Sequence, residues 1–204
     1  MQVIYDFDGV MFDSYDSVRM MYQDLAKQMG RGLSFEELNY CYKHSMEDNV
    51  RHIFKEDVRD KIKCLDYKRY YISMAPMPDI VTVLKWFKEA GIKVGICSNR
   101  VSGIPFILDY YHLTEYIDNV VTSKDYPSKP DPSGLLSLID DEAYYVGDGE
   151  IDSLTAHKAN TLFIAYNNPN IQADYHISNH LQILHLTPIK EYGIRIAGGM
   201  DGNN

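Results

Sequence analysis

From Lys93 onward, short apolar runs alternate with amphipathic stretches, and this alternation constrains the fold more than any other feature of the sequence. Lys93–Cys97, Val120-Val121, Ala143–Val146 and Leu162–Ala165 read as buried strands. Helices are predicted between them, over Ser102–Tyr110, after Pro132 and over Ile151–Ala159. Strands that alternate with helices join through right-handed crossovers and build a parallel sheet covered on both faces. Val3–Tyr5 supplies one further buried strand near the start. The fold class expected is therefore α/β, a doubly wound parallel sheet of Rossmann type. Such sheets bind ligands beyond the carboxyl ends of their strands, so the residues just after each strand are the candidates for chemistry.

Between Ser14 and Ala75 the alternation stops and only helical patterns remain. Tyr15–Met29 is amphipathic and is closed by Gly30. Ser34 and Glu37 form an S-x-x-E capping box that opens a second helix. Glu47–Phe54 and Asp57–Met74 read as two more helical stretches. Pro76 and Pro78 then punctuate the chain, and Asp79 is placed to cap a helix that Gly91 ends. The organisation expected is a core of 1–13 with 76–197, an inserted α-helical subdomain of 14–75, and a frayed glycine-rich tail of 198–204.

Charge and cysteine usage narrow the function classes. The 204 residues carry 20 Lys and Arg against 29 Asp and Glu, a net charge of −9. That balance argues against duplex nucleic acid, which needs a clustered basic surface. No apolar run approaches the ~18 residues of a membrane span. Met1–Tyr5 has neither the basic start nor the long apolar stretch of a secretory signal. Cys41, Cys64 and Cys97 contain no CxxC pair and fit reduced structural thiols. The expectation is a cytoplasmic protein with no membrane or nucleic-acid partner. An anionic substrate would need a local cation to draw it in against the global field.

Four short motifs stand at the predicted strand ends. Asp6-Phe7-Asp8-Gly9-Val10 follows the first strand and Ser98-Asn99 the second. Lys129-Pro130-Asp131-Pro132 follows the third and its loop, and Gly147-Asp148-Gly149-Glu150-Ile151-Asp152 the fourth. Each is weak alone, but together they bring carboxylates, a hydroxyl and an ammonium to one sheet edge. Carboxylates so crowded repel one another unless a cation sits among them. Mg²⁺ suits oxygen donors shared with a phosphate. Lys129 and Ser98 would then contact phosphate oxygens. One carboxylate would act as nucleophile and a second, two residues on, as proton donor and acceptor. This pattern points to metal-assisted phosphoryl transfer through an aspartate.

The order Asp-x-Asp-Gly-Val, Ser-Asn, Lys-Pro, Gly-Asp-x-x-x-Asp resembles the haloacid dehalogenase-like (HAD) superfamily, from about Val3 to Ile177. Met11-Phe12-Asp13-Ser14 is similar to the phosphoglycolate phosphatase branch, and Ala173–Ile177 resembles the family's last core strand. The resemblance implies Asp6 as nucleophile and metal ligand, and Asp8 as general acid and base with its main-chain carbonyl on the metal. It implies Ser98 and Lys129 as phosphate-binding and catalytic groups, with Asn99 beside them in substrate binding. Asp148 is the implied direct metal ligand and Asp152 the implied support of the metal site. The 14–75 insertion matches the family's small α-helical cap. Asp8 is what separates the phosphatases and phosphomutases from the dehalogenase and phosphonatase branches. The implied activity is a Mg²⁺-dependent phosphatase that cleaves a small phosphomonoester, phosphoglycolate-like or a sugar phosphate, through an aspartyl-phosphate. Its partner would be a small phosphorylated metabolite, and the protein a monomer or homodimer. A sugar phosphomutase and a non-catalytic phospho-acceptor or scaffold protein are the alternatives. Receiver domains share the acidic cluster, but their phosphorylated Asp does not follow the first strand.

Other residues carry blander readings. Asn160-Thr161 stands where the family has Gly and an apolar residue, and Asn tolerates the left-handed turn required there. Tyr40, Tyr42, Tyr67, Tyr70 and Tyr71 read as packing of the insertion, and Phe7 as core. Arg19, His44, Arg51 and His52 are side chains of the insertion that could reach a substrate. Arg100, next to Ser98-Asn99, is a better candidate by position. His176 and His180 stand four apart without a third ligand and are not read as a metal site.

Overall fold

The computed structural model of the chain describes residues 1–44 and 46–200. The first part of the chain contains β1 (Gln2–Tyr5), β2 (Phe12–Asp13), α1 (Tyr15–Gln28), α2 (Phe35–Lys43), α3 (Met46–Asn49), α4 (Arg59–Lys63), α5 (Tyr67–Ser73) and β3 (Ala75–Pro76). There follow α6 (Ile80–Glu89), β4 (Lys93–Ser98), α7 (Ile104–Tyr110), β5 (Asn119–Thr122), α8 (Ser133–Leu136) and β6 (Ala143–Gly147). The last elements are α9 (Glu150–Lys158), β7 (Leu162–Tyr166), β8 (Tyr175–Ile177) and α10 (Thr187–Met200). Two compact units result, one of Met1–Phe12 with the chain from Pro76 onward, the other of Asp13–Ala75.

The first unit is built on a six-stranded sheet of order β5-β4-β1-β6-β7-β8, with neighbouring strands parallel throughout. It is the expected doubly wound α/β architecture. β1 is buried along its whole length, as a central parallel strand with helices on both faces must be. Ile4, Tyr145, Phe163, Ala156 and Leu135 pack together in its core. Asn160 sits at φ 52°, the left-handed turn that its residue type tolerates. Asp79 departs from expectation. It precedes α6, but at φ 65° and with no capping bond from its side chain. α7 begins at Ile104, later than expected, because Gly103 turns left-handed at φ 93° before it.

α10 is not legible as a helix from its pattern. Gly193 lies in its interior, where glycine costs roughly 1 kcal/mol relative to alanine. The missing side chain is used, since a Cβ there would stand 2.6 Å from the Trp86 ring of α6. The helix takes in the first three residues of the expected tail, 198–200, while 201–204 lie outside the described residues.

The second unit is a helical cluster around Tyr22, Leu25, Leu38, Cys41, Phe54, Leu65 and Tyr70. Its capping box forms as predicted, with Glu37 N–H donating to Ser34 Oγ at 3.2 Å and Ser34 N–H to Glu37 Oε2 at 2.8 Å. The helix expected over Asp57–Met74 is two helices, α4 and α5. The chain tightens at Cys64, whose N–H donates to Lys61 O, and so turns Leu65 into the core. Tyr70 is buried and gives its hydroxyl to Asp24 at 2.9 Å, which is packing as expected. Arg19 lies over the Tyr15 and Phe35 rings, and His44 stacks on Tyr40 at 3.8 Å.

Candidate active site

Strand register assembles the site. Tyr5 of β1 lies level with Ile96 of β4 on one side and Val146 of β6 on the other. Asp6, Ser98 and Asp148 therefore leave the sheet at the same edge, although they are far apart in the sequence. Asp6 N–H still donates to Val146 O at 2.8 Å, so its backbone extends the strand. The chain then folds back, with the N–H groups of Met11 and Phe12 both donating to Phe7 O at 3.0 Å. Gly9 makes that turn at φ 80°, and a Cβ on it would stand 2.5 Å from Asp148 Oδ2. Backbone conformation and close approach both demand glycine here. Phe7 is fully buried, as read.

Lys129 is the centre of the charge arrangement and is buried. Its ammonium donates to Asp6 Oδ1 at 2.8 Å, Asp152 Oδ1 at 2.6 Å and the Tyr145 hydroxyl at 2.9 Å, which uses all three of its hydrogens. Its backbone is held by Asn99, whose Oδ1 accepts from Lys129 N–H at 2.6 Å and whose Nδ2 donates to Lys129 O at 3.2 Å. Asn99 thus clamps the lysine backbone with both ends of its amide. Asp152 is a buried residue in the first turn of α9. One of its oxygens accepts from Lys129 and from Tyr145 Oη at 2.8 Å, and the other accepts from Gly149 N–H at 3.1 Å. A Cβ on Gly147 would come within 2.6 Å of Asp152 Cγ, so that glycine makes room for the carboxylate.

Asp6, Asp148 and Asp152 each offer a carboxylate oxygen, and these three atoms lie within 4.8 Å of one another. The Asp8 carboxylate is outside that group and pairs with Arg100, through Nη2 at 2.8 Å and Nε at 3.1 Å. Ser98 is buried, and its Oγ accepts from Arg100 N–H at 3.2 Å, which leaves its own O–H to donate. Burial pushes the Asp6 carboxyl up to about 7; Lys129 opposes the shift, and Asp152 and Asp8 add to it. Burial likewise pushes Asp148 up to about 6, with Asp152 adding and Lys129 opposing. Burial alone would lower Lys129, but Asp6 and Asp152 outweigh it and hold the ammonium above its ordinary value. One ammonium faces three converging carboxylates, so the site is short of positive charge. An all-oxygen donor set of this kind fits a hard divalent cation.

Stability should follow this charge shortage. Asp6 and Asp148 have folded pKa values above the ordinary carboxylate range, so the native state binds more protons than the unfolded chain between about pH 4 and about pH 7. Their contribution to stability therefore falls as pH rises through that window. A divalent cation should raise the melting temperature of the native chain, and Asp148→Asn should remove that rise and flatten the fall with pH in the metal-free protein. Thermal melts at about pH 5 and about pH 7.5, with and without the cation, check both effects. An equal cation response in the two proteins would contradict this assignment.

Three residues of the neighbourhood were not legible as site residues. Tyr145 read only as part of a buried strand, yet its hydroxyl bridges Lys129 and Asp152. Asn168 donates to Asp148 O at 2.9 Å and steadies the fourth motif. His180 is fully buried, stacks on Tyr166 and approaches Val10 O at 2.8 Å, so its Nε2 carries the hydrogen. Burial holds this imidazole down to about 4, neutral at physiological pH. His176 likewise bonds a main-chain oxygen, that of Ile171. In the inserted unit, Arg51 and His52 are exposed. A cavity of about 590 Å³ lies elsewhere, lined among others by Leu154, His157, Leu162 and Asp174. None of the described helices is long and apolar enough to cross a membrane.

Comparison with known proteins gives a consistent picture. A sequence model of the family described as haloacid dehalogenase-like hydrolase matches residues 3–166. A phosphoglycolate phosphatase of Cereibacter sphaeroides is 28% identical over 109 residues, 50% of this chain and 50% of that protein. The match thus spans half the length of that relative. A phosphoglycolate phosphatase of Rhodobacter capsulatus is 26% identical over 182 residues, covering 80% of this chain and 83% of the other. Among solved structures, a HAD-superfamily hydrolase of subfamily IA, variant 1, from Geobacter sulfurreducens superposes with a TM-score of 0.79 at 29% identity. That superposition covers 90% of this chain and 94% of the other.

Proposed function

Since this chain belongs to the haloacid dehalogenase-like hydrolases, we propose that it is a Mg²⁺-dependent phosphatase acting on a small phosphomonoester. The observation that carries the reading is a buried Asp6, its carboxylate 2.8 Å from the Lys129 ammonium and grouped with Asp148, with Asp8 two residues further on. Asp6 and Asp148 would hold the cation, with Asp152 behind them. When bound, Mg²⁺ offsets the carboxylate charge and polarises the phosphate oxygens.

The remaining chemistry belongs to the chain. An Asp6 oxygen attacks phosphorus and forms an O–P bond as the P–O bond to the alcohol breaks. The electron pair stays on the departing oxygen, which takes a proton from Asp8. Asp8, now a carboxylate, removes a proton from water, and that water oxygen attacks phosphorus. The bond to Asp6 breaks with its electrons returning to the carboxylate, and alcohol and inorganic phosphate are the products. Lys129 neutralises phosphate charge from a fixed point, and Ser98 donates its free O–H to a phosphate oxygen. Similarity to phosphoglycolate phosphatases supports a phosphoglycolate-like substrate, and a sugar phosphate is the second candidate of the same chemical class.

A panel of phosphorylated metabolites tests this reading. Released phosphate is measured with and without Mg²⁺, and phosphorus NMR follows the organic product. Mg²⁺-dependent phosphate release from a small monoester is expected. Isomerised sugar phosphate without free phosphate would make the protein a mutase, and a lasting phospho-form without turnover would make it a signalling or scaffold protein.

A further inference from the structure

Arg100 lies immediately after the second motif, and the sequence offers it as a residue that could reach a substrate. In the structure its guanidinium is committed to Asp8 instead. Nε donates to Oδ2 at 3.1 Å and Nη2 to Oδ1 at 2.8 Å, a planar fork on both carboxylate oxygens. The pair is partly buried, with side-chain exposures of 14% for Arg100 and 32% for Asp8. Its guanidinium carbon stands 5.7 Å from the centre of the Phe7 ring. The arginine's backbone is held locally, since its N–H donates to Ser98 Oγ at 3.2 Å. Asp8 needs such a partner, because it lies outside β1 and directly before the left-handed Gly9, so the strand does not fix its side chain.

We propose that Arg100 is a positioning residue that fixes the orientation of the Asp8 carboxylate for its proton transfers, and does not serve chiefly to bind substrate. A lysine at this position would keep the charge and lose the fork. The inference rests on the phosphatase reading, in which Asp8 protonates the leaving group.

Steady-state kinetics of Arg100→Gln, Arg100→Lys and Asp8→Asn test it, with p-nitrophenyl phosphate as the ester of an acidic alcohol and glycerol phosphate as the ester of a basic one. For Arg100→Gln, kcat on glycerol phosphate should fall about 10²-fold, within the range of general acid catalysis, while KM changes little. The fall on p-nitrophenyl phosphate should be smaller, since its leaving oxygen needs less protonation. Arg100→Lys should recover only a small part of the loss. In an Asp8→Asn background, Arg100→Gln should cost almost nothing more. A metal-free spectroscopic readout stands beside the kinetics: the Arg100 Nε–H resonance in nitrogen-edited NMR should be protected from exchange in the native chain and lose that protection in Asp8→Asn. A raised KM with kcat unchanged, equal losses on both esters, or full additivity with Asp8→Asn would overturn the proposal. If the native chain hydrolyses neither ester, the phosphatase reading falls first, and the Nε–H signal then decides on its own whether Arg100 holds Asp8.

Discussion

Asp6→Asn is expected to remove turnover almost completely, by on the order of 10⁴-fold or more, as when the nucleophile of a covalent mechanism is lost. The amide keeps the shape of the carboxylate and can still accept from the Lys129 ammonium, which stands 2.8 Å from Asp6 Oδ1. It has no oxygen able to attack phosphorus. Folding should survive, because burial outweighs the attraction of Lys129 and pushes the Asp6 carboxyl up to about 7. The ionised carboxylate is thus a cost that the amide relieves, and the melting temperature above neutral pH should hold or rise. Phosphate release with excess Mg²⁺ and a thermal melt on the same preparation measure both halves. A variant that stays folded and keeps most of its kcat would mean that Asp6 is not the nucleophile.

Lys129→Met should damage stability and activity together. The lysine is the positive partner of two carboxylates, Asp6 at 2.8 Å and Asp152 at 2.6 Å, all within a buried site. Removing one member of a buried ion pair leaves the other charge uncompensated and costs about 3 kcal/mol or more. Loss of a fixed positive charge beside the transferring group costs about 10²-fold or more in kcat. The sign of the pH dependence follows from Asp6. Without the nearby ammonium its carboxyl rises further, so the native state of the variant binds extra protons over a wider window. The stability deficit should therefore grow as pH rises and shrink toward acid, where the carboxyls are protonated. Denaturant titrations at several pH values check this, and a deficit that shrinks with rising pH would contradict it.

These two residues also mark what could be read from the sequence. β1, β4, β6 and β7 announced themselves because a buried parallel strand must be apolar throughout, and a sheet of that kind directs attention to the residues that follow each strand. That rule names Asp6, Asp8, Ser98, Lys129, Asp148 and Asp152 as candidates, and the fold brings Asp6, Lys129, Asp148 and Asp152 together. What could not be read was how they divide the work. Asn99 reads as a substrate-binding residue, and what no pattern shows is that its amide also holds the Lys129 backbone. Tyr145 looks like any aromatic of a buried strand, and only the packing of β6 against the Lys129 loop gives its hydroxyl a task. Arg100 meets Asp8 through the register of β4 beside β1, which no local pattern encodes. Two differences are local. Asp79 has the residue type of a cap but a left-handed backbone, and the break between α4 and α5 follows from burying Leu65.

The central claim is that phosphoryl transfer passes through Asp6, and the most direct measurement is to catch the group there. The protein is mixed with Mg²⁺ and a hydrolysable phosphoester, quenched in acid during turnover, digested, and its peptides are weighed by mass spectrometry. One phosphoryl group on Asp6, dependent on Mg²⁺ and absent from Asp6→Asn, is the result expected. Turnover with the group carried by another residue, Ser98 included, would contradict the account.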